Sequence, residues 1–304
     1  MDLQQLTDMA KQETVKIDLD QVLQARIPGL YRHIPRRMVE WMKRLICQDR
    51  LNALLEANAG KEGAEFCRGI LDSLDIKVNV VNAENLPPRD HRRVIFVSNH
   101  PLGGLDGMAL IDMIHHHYGG QVWFLVNDLL MAVKPLAPVF LPVNKHGRQS
   151  RETLINIERA FRGNDPIIIF PAGLVSRLRY VSSEEGKTKK VHDLEWQKSF
   201  LIKAVQSKRD IVPLYFSGTN SMDFYRKANL RKRLGIKFNL EQILLPRELF
   251  NNCGATFNVY VGPMKPYSLI DIADARGYAD AICAEVYRLP VDFKYDHNHN
   301  DPTK

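Results

Sequence analysis

The chain has 304 residues, enough to bury a substantial core as one large domain or as one domain with an appended cap. Apolar residues make up 45% and charged ones 25%, which excludes wholesale disorder; Cys47, Cys67, Cys253 and Cys283 are scattered without CxxC spacing, which argues against a disulfide framework or zinc ribbon and fits a reducing cytoplasm. A net charge of +7 and a pI near 9.2 favour anionic partners, whether lipid headgroups, nucleic acid or an acidic carrier protein, without choosing among them.

The opening MDLQQLTDMAKQETVKIDLD is mixed in charge and has no apolar stretch of the secretory kind. Up to about residue 75 the pattern is helical: Met38, Met42, Leu45 and Ile46 recur at spacings of three and four, as do Leu51, Leu54 and Leu55. Residues 1–75 therefore read as a helical extension that faces a membrane or caps the domain. Short apolar runs follow, with strands predicted at Val78–Val81, Val94–Val97, Val122–Val126, Ile167–Phe170, Val212–Phe216 and Phe257–Val261. Helices are predicted at Leu105–His117, Gln149–Arg162, Trp196–Gln206, Leu240–Asn251 and Tyr278–Tyr287. Such alternation over 76–291 implies an α/β fold with a largely parallel central sheet flanked by helices. Val181–Asp193 reads as a loop, and 292–304 as a frayed polar tail. No segment approaches the roughly 20 uninterrupted apolar residues of a membrane span. The best, Val122 to Val143, is cut by Asn127, Asp128, Lys134 and three prolines, so a protein that meets a membrane would lie on it.

The informative stretch is VIFVSNHPLGGLDGMALIDMI, residues 94 to 114. An apolar strand delivers His100 at its carboxyl end, where ligands sit in open α/β sheets. A Pro-Leu-Gly-Gly turn follows, and Gly103 and Gly104 permit backbone that brings Asp106 back towards the imidazole. A carboxylate on one ring nitrogen fixes the tautomer and leaves the other nitrogen free to take a proton from an acceptor hydroxyl. The same spacing supports a plainer reading, in which Asp106 caps the following helix and His100 is a buried histidine bonded to backbone. A second stretch, IIIFPAGLVSRLR, is a strand running into Pro171, Gly173, Ser176, Arg177 and Arg179, either an anion site or a solvated loop. A third strand, IVPLYFSG, ends in the same style.

Together these blocks resemble the glycerolipid acyltransferase family, which includes the bacterial 1-acylglycerol-3-phosphate acyltransferases. SNHPLGGLD, FPAGLVSR and IVPLYF correspond, in order, to its Asn-His-x4-Asp, FPEGTRS and Val-Pro blocks, over roughly residues 90 to 265. Asp106 stands six positions after His100 where the family has five; Ala172 replaces the FPEG glutamate, Leu174 and Val175 replace threonine and arginine, and Asn144, Lys145 and Arg148 stand where another family arginine is usual. The HPLGGLDG form looks like a bacterial subgroup often labelled haemolysin-like, similar to the O-acyltransferases that complete ornithine or glycine lipids.

The resemblance implies an enzyme that moves a fatty acyl group from acyl carrier protein or acyl-CoA to the hydroxyl of a lyso-aminolipid or lysophosphatidate, with no cofactor. His100 would be the general base, Asp106 its orienting partner, and the amides of Gly103 and Gly104 oxyanion donors. Ser176, Arg177 and Arg179 would hold the acceptor's anionic group. The expected setting is cytoplasmic, peripheral on the inner face of the membrane. His115, His116 and His117 are adjacent on a helix and cannot converge on a metal, so none is expected. FYRKANLRKRLGIKF and IPGLYRHIPRRMVEWMKRL suit either anionic headgroups or carrier protein, or else solvated helix faces; WFLVNDLLMAVKPLAPVFLPV suits an acyl channel or plain core. A thioesterase or lysophospholipase is the first rival, though no G-x-S-x-G elbow is present. A non-enzymatic lytic protein is the second. A nucleic-acid binder is the third, resting on charge alone.

Overall fold

Runs rich in isoleucine, valine and phenylalanine become strands that bury both faces. The computed structural model describes residues 16–26, 28–127, 130–131, 133–143, 150–183, 186–234 and 243–299. The described chain begins with helices α1 (Leu19–Arg26), α2 (Pro28–Tyr31), α3 (Arg36–Leu45), α4 (Gln48–Ala57) and α5 (Gly63–Ser73). Strands β1 (Lys77–Val81) and β2 (Val94–Ser98) lead to α6 (Gly104–Tyr118), then β3 (Trp123–Asn127), β4 (Phe140–Val143), α7 (Arg151–Arg162) and β5 (Ile167–Ile169). A hairpin of β6 (Arg177–Ser183) and β7 (Gly186–His192) precedes α8 (Ser199–Ser207) and β8 (Asp210–Phe216). The chain continues through α9 (Met222–Arg233), α10 (Leu245–Asn251), β9 (Thr256–Val261) and α11 (Ala275–His299).

The main sheet has seven strands in the order β1-β9-β8-β2-β5-β3-β4. Every neighbouring pair is parallel except β8 with β9, as the predicted α/β class requires. Side chains of β2 alternate between two cores: Val94 and Phe96 face the layer with α5 and α6, while Ile95 and Val97 face the layer with α7, α8 and α11. Because α5 buries Phe66, Cys67, Ile70 and Leu71 in the first of these cores, it is an integral part of that layer. Arg209 locks the lower end of the central strands, where its buried guanidinium donates to the carbonyls of Ala160, Phe161, Gly163, Asp165 and Val94.

Three segments differ from expectation, the first being Phe140–Val143, which forms the edge strand β4 where no strand was predicted. Val181–Asp193 is not a loop but most of the β6–β7 hairpin, held by Leu178 and Val191, which pair across it and pack on a third small core. The lysines of β7 face solvent, so no apolar alternation marks it in sequence. The polar stretch after Asp292 continues α11 as far as His299. Ala279, Ile282, Val286 and Leu289 anchor that helix, and propagation beyond an anchored stretch needs no apolar residue. The predicted helix at Leu240–Asn251 begins at Leu245 among the described residues, and Asn144, Lys145 and Arg148 lie outside them. In the segment from Trp123 to Val143, Phe124, Val126, Leu136, Val139 and Phe140 belong to the main core, as the plainer reading has it. No helix among the described residues is long and apolar enough to cross a membrane.

Candidate active site

Strands β5, β2 and β8 lie side by side and parallel, so the segments leaving their carboxyl ends meet above the centre of the sheet. His100 is in the middle one. The Asn99 side chain extends the ladder beyond β2, donating from Nδ2 to the Phe216 carbonyl at 2.9 Å and accepting the Phe216 N–H at 2.7 Å. The His100 carbonyl accepts the Ser176 N–H at 2.7 Å. Its N–H donates to Asp193 Oδ1 at 3.2 Å, and the next carbonyl, of Pro101, accepts from Asn220 Nδ2 at 3.1 Å. The backbone carrying the imidazole is therefore bonded to three other segments.

His100 Nδ1 lies 3.1 Å from both oxygens of Asp106. The Asp106 side chain is fully buried and that of His100 is 16% exposed, so the pair is shielded while the imidazole still reaches the surface. Asp106 also caps: its oxygens accept the N–H groups of Leu102 (2.9 Å), Gly103 (3.4 Å) and Gly107 (2.8 Å). The two readings of this carboxylate hold together, since capping fixes it in the position that faces the ring. The extra residue in the turn is absorbed at Gly103, with φ 94° and ψ −117°, and a Cβ there would stand 3.1 Å from the Leu245 side chain. Phe170 stacks on the imidazole, with ring centroids 4.0 Å apart and planes 18° from parallel.

The proposed donors and acceptor contacts are redistributed. Gly103 N–H is bonded to Asp106 and so is not available to an oxyanion. Gly104 opens α6, where the first amides have no partner inside the helix. Ser176 is buried and its hydroxyl donates to Asp193, which removes it from contact with an acceptor. Arg177 is also buried, bonded to the carbonyls of Val175 (2.6 Å) and Ser176 (3.3 Å), with its guanidinium over the Phe224 ring. Arg179 is exposed and donates to the Asp193 carbonyl at 2.9 Å. His115 and His117 bond separately to the carbonyls of Gly120 and Pro87.

Asp193 was not singled out from sequence, yet it ties the site together. Its Oδ1 accepts from His100 N–H and the Ser176 hydroxyl, its Oδ2 accepts from Trp196 Nε1 at 2.8 Å, and its N–H donates to the Tyr287 hydroxyl at 2.8 Å. Burial pushes its carboxyl above the usual carboxylate range, against the opposing pull of those donors. The one available signal was the acid of HDLEW beside a tryptophan, in a stretch otherwise rich in charge.

A family model described as Acyltransferase matches residues 21–289. This chain belongs to the acyltransferase family. It is accordingly an enzyme of acyl transfer. Among curated proteins it is 41% identical over 274 residues to a lyso-glycine lipid O-acyltransferase of Bacteroides thetaiotaomicron, covering 90% of this chain and 97% of the relative. A lyso-glycine lipid O-acyltransferase of Phocaeicola vulgatus is 42% identical over 274 residues, with 90% and 95% covered. A solved 1-acyl-sn-glycerophosphate acyltransferase from Thermotoga maritima aligns with 74% of this acyltransferase and 81% of its own chain, at 15% identity and a TM-score of 0.41.

Proposed function

We propose that this acyltransferase completes a lyso-aminolipid at a membrane surface, moving a fatty acyl group from an acyl thioester to the lipid's hydroxyl. The observation that carries the chemistry is the His100–Asp106 pair, with Nδ1 3.1 Å from both carboxylate oxygens. The acceptor class is supported by the two curated relatives, both lyso-glycine lipid O-acyltransferases.

Asp106 holds the proton on Nδ1, which leaves Nε2 as the base. The acceptor O–H gives its proton to Nε2 while its oxygen attacks the thioester carbonyl. The C–O bond forms as the carbonyl π pair moves onto oxygen, and that oxyanion is received by the Gly104 amide at the start of α6. Collapse of the intermediate expels the thiolate, which takes the proton from Nε2 and restores neutral imidazole. Phe170 holds the ring plane throughout. Arg179 would meet the acceptor's carboxylate, a role supported by its exposure and by its position just after the segment bonded to His100 through Ser176.

The test is transfer of labelled acyl groups from acyl carrier protein and, separately, from acyl-CoA to lyso-glycine lipid, lyso-ornithine lipid and lysophosphatidate. Acylation of an aminolipid acceptor by either donor is the expected outcome. Acylation of lysophosphatidate alone would refute the acceptor class.

A further inference from the structure

The outer face of α9 has a composition that the fold does not use. Its inner face is filled: Phe224, Tyr225 and Ala228 are buried, and with Val175 and Leu244 the two aromatics make the third small core. A solvated helix would be polar on the opposite side. Here that side carries Met222, Leu230 and Leu234, which are 50%, 55% and 65% exposed, interleaved with exposed Arg226, Lys227 and Arg233. Asp223 is the acid of this face, and it is ion-paired with Lys227 at 2.7 Å and Arg247 at 3.8 Å.

The hairpin extends the same surface. Leu178 and Val191 pair across it and pack on the core that α9 shares. Two residues further out, on the same face, Tyr180 pairs with Lys189, and Ser182 pairs with Lys187 beyond them. Tyr180 is 68% exposed, so the face that starts as core ends as an aromatic ring among lysines.

We infer that the outer face of α9 and the tip of the β6–β7 hairpin form the surface by which this enzyme docks on an anionic lipid bilayer. Apolar side chains standing among arginines and lysines are what an interfacial element presents: the apolar groups enter the acyl boundary and the cations meet headgroups. A purely electrostatic partner, such as an acidic carrier protein, needs the cations but gives no use to exposed Met222, Leu230 and Leu234. The surface is also wired to the chemistry. The Tyr225 hydroxyl accepts the Asn220 N–H at 3.1 Å, and the Asn220 side chain holds the Pro101 carbonyl beside His100. A lipid face on α9 therefore sits one relay from the catalytic turn. This deepens the reading above, since a lyso-aminolipid resides in a membrane.

The test uses full-length protein sedimented with vesicles of phosphatidylcholine, with and without about one-third phosphatidylglycerol. Wild type is expected on the anionic vesicles, with salt-sensitive affinity. L230D/L234D should lower that affinity by about tenfold or more. R226E/R233E should lower it by about fivefold or more per cation and weaken the salt dependence. Both variants should keep wild-type transfer to acceptor presented in detergent micelles, which shows that they are folded, and lose it on vesicles. Vesicle binding unchanged in both variants, or equal on neutral and anionic vesicles, would overturn the assignment. Intact vesicle binding with transfer lost only from acyl carrier protein would give the surface to that protein instead. Because sedimentation needs no turnover, it can fail while micellar transfer stands, and the reverse would fault the acceptor reading alone.

Discussion

Replacing Asp193 should disable the enzyme without touching a reacting group. Three donors converge on its carboxylate: the His100 N–H at 3.2 Å, the Trp196 indole at 2.8 Å and the Ser176 hydroxyl. In Asp193→Ala the first two are left buried without acceptors, at about 1–3 kcal/mol each. Relief of a buried charge offsets part of that, so the net loss of stability should be about 2–4 kcal/mol. Asp193→Asn keeps the shape and one oxygen but turns an NH2 towards a donor, and should cost about 1–2 kcal/mol. The larger effect falls on geometry. The His100 N–H loses its anchor, and a shift of about 1 Å at a reacting group can cost about 100-fold in rate. In Asp193→Asn, assayed below its unfolding transition, kcat should fall by about 10- to 100-fold while KM for the acceptor stays near wild type. Ser176→Ala, which removes one donor and leaves the carboxylate, should show a smaller fall of the same kind. A folded Asp193→Asn enzyme with wild-type kcat would refute the positioning role.

Other expectations follow from single contacts. Asp106→Asn removes the carboxylate charge and replaces one of its oxygens by an NH2 donor, so the Nδ1 proton is no longer fixed, and kcat should fall by about 10²- to 10⁴-fold in single-turnover assays. Gly103→Ala forces a side chain into positive φ against Leu245; denaturant titration should show a loss of about 1–3 kcal/mol, together with reduced turnover. Arg209→Met leaves five carbonyls without their donor and should cost about 3 kcal/mol or more by thermal unfolding. His192 is partly buried and stacked on Tyr287, and that burial lowers its pKa from 6.5. The unfolded chain therefore takes up a proton first as pH falls, so stability drops from about pH 6.5 down to the folded value and no further. His192→Phe should flatten that part of the stability profile.

The central strands of the sheet were legible because they are buried on both faces and read as continuous apolar runs, such as VIFV at β2 and III at β5, whereas the edge strand β4, in a proline-broken run, was not predicted. The His100–Asp106 pair was legible because chemistry and capping demand the same residues in the same turn. The hairpin was not, since Leu178 and Val191 are its apolar anchors and most of its other described side chains are polar and exposed. Asp193 was invisible for a related reason: its value lies in contacts with residues 93 positions before it and 94 after, and no local pattern encodes those. The roles expected of Ser176 and Arg177 moved because a loop motif shows which residues are near a site, but not which way they turn. Ser176 turned inward to Asp193, and Arg177 to backbone carbonyls and Phe224.

The most direct measurement is acyl transfer to lyso-glycine lipid by wild type and His100→Ala, each shown to be folded by circular dichroism. Transfer that is robust in wild type and absent in the variant is the predicted result. Equal transfer by the two proteins would contradict the account, since the base would then lie elsewhere.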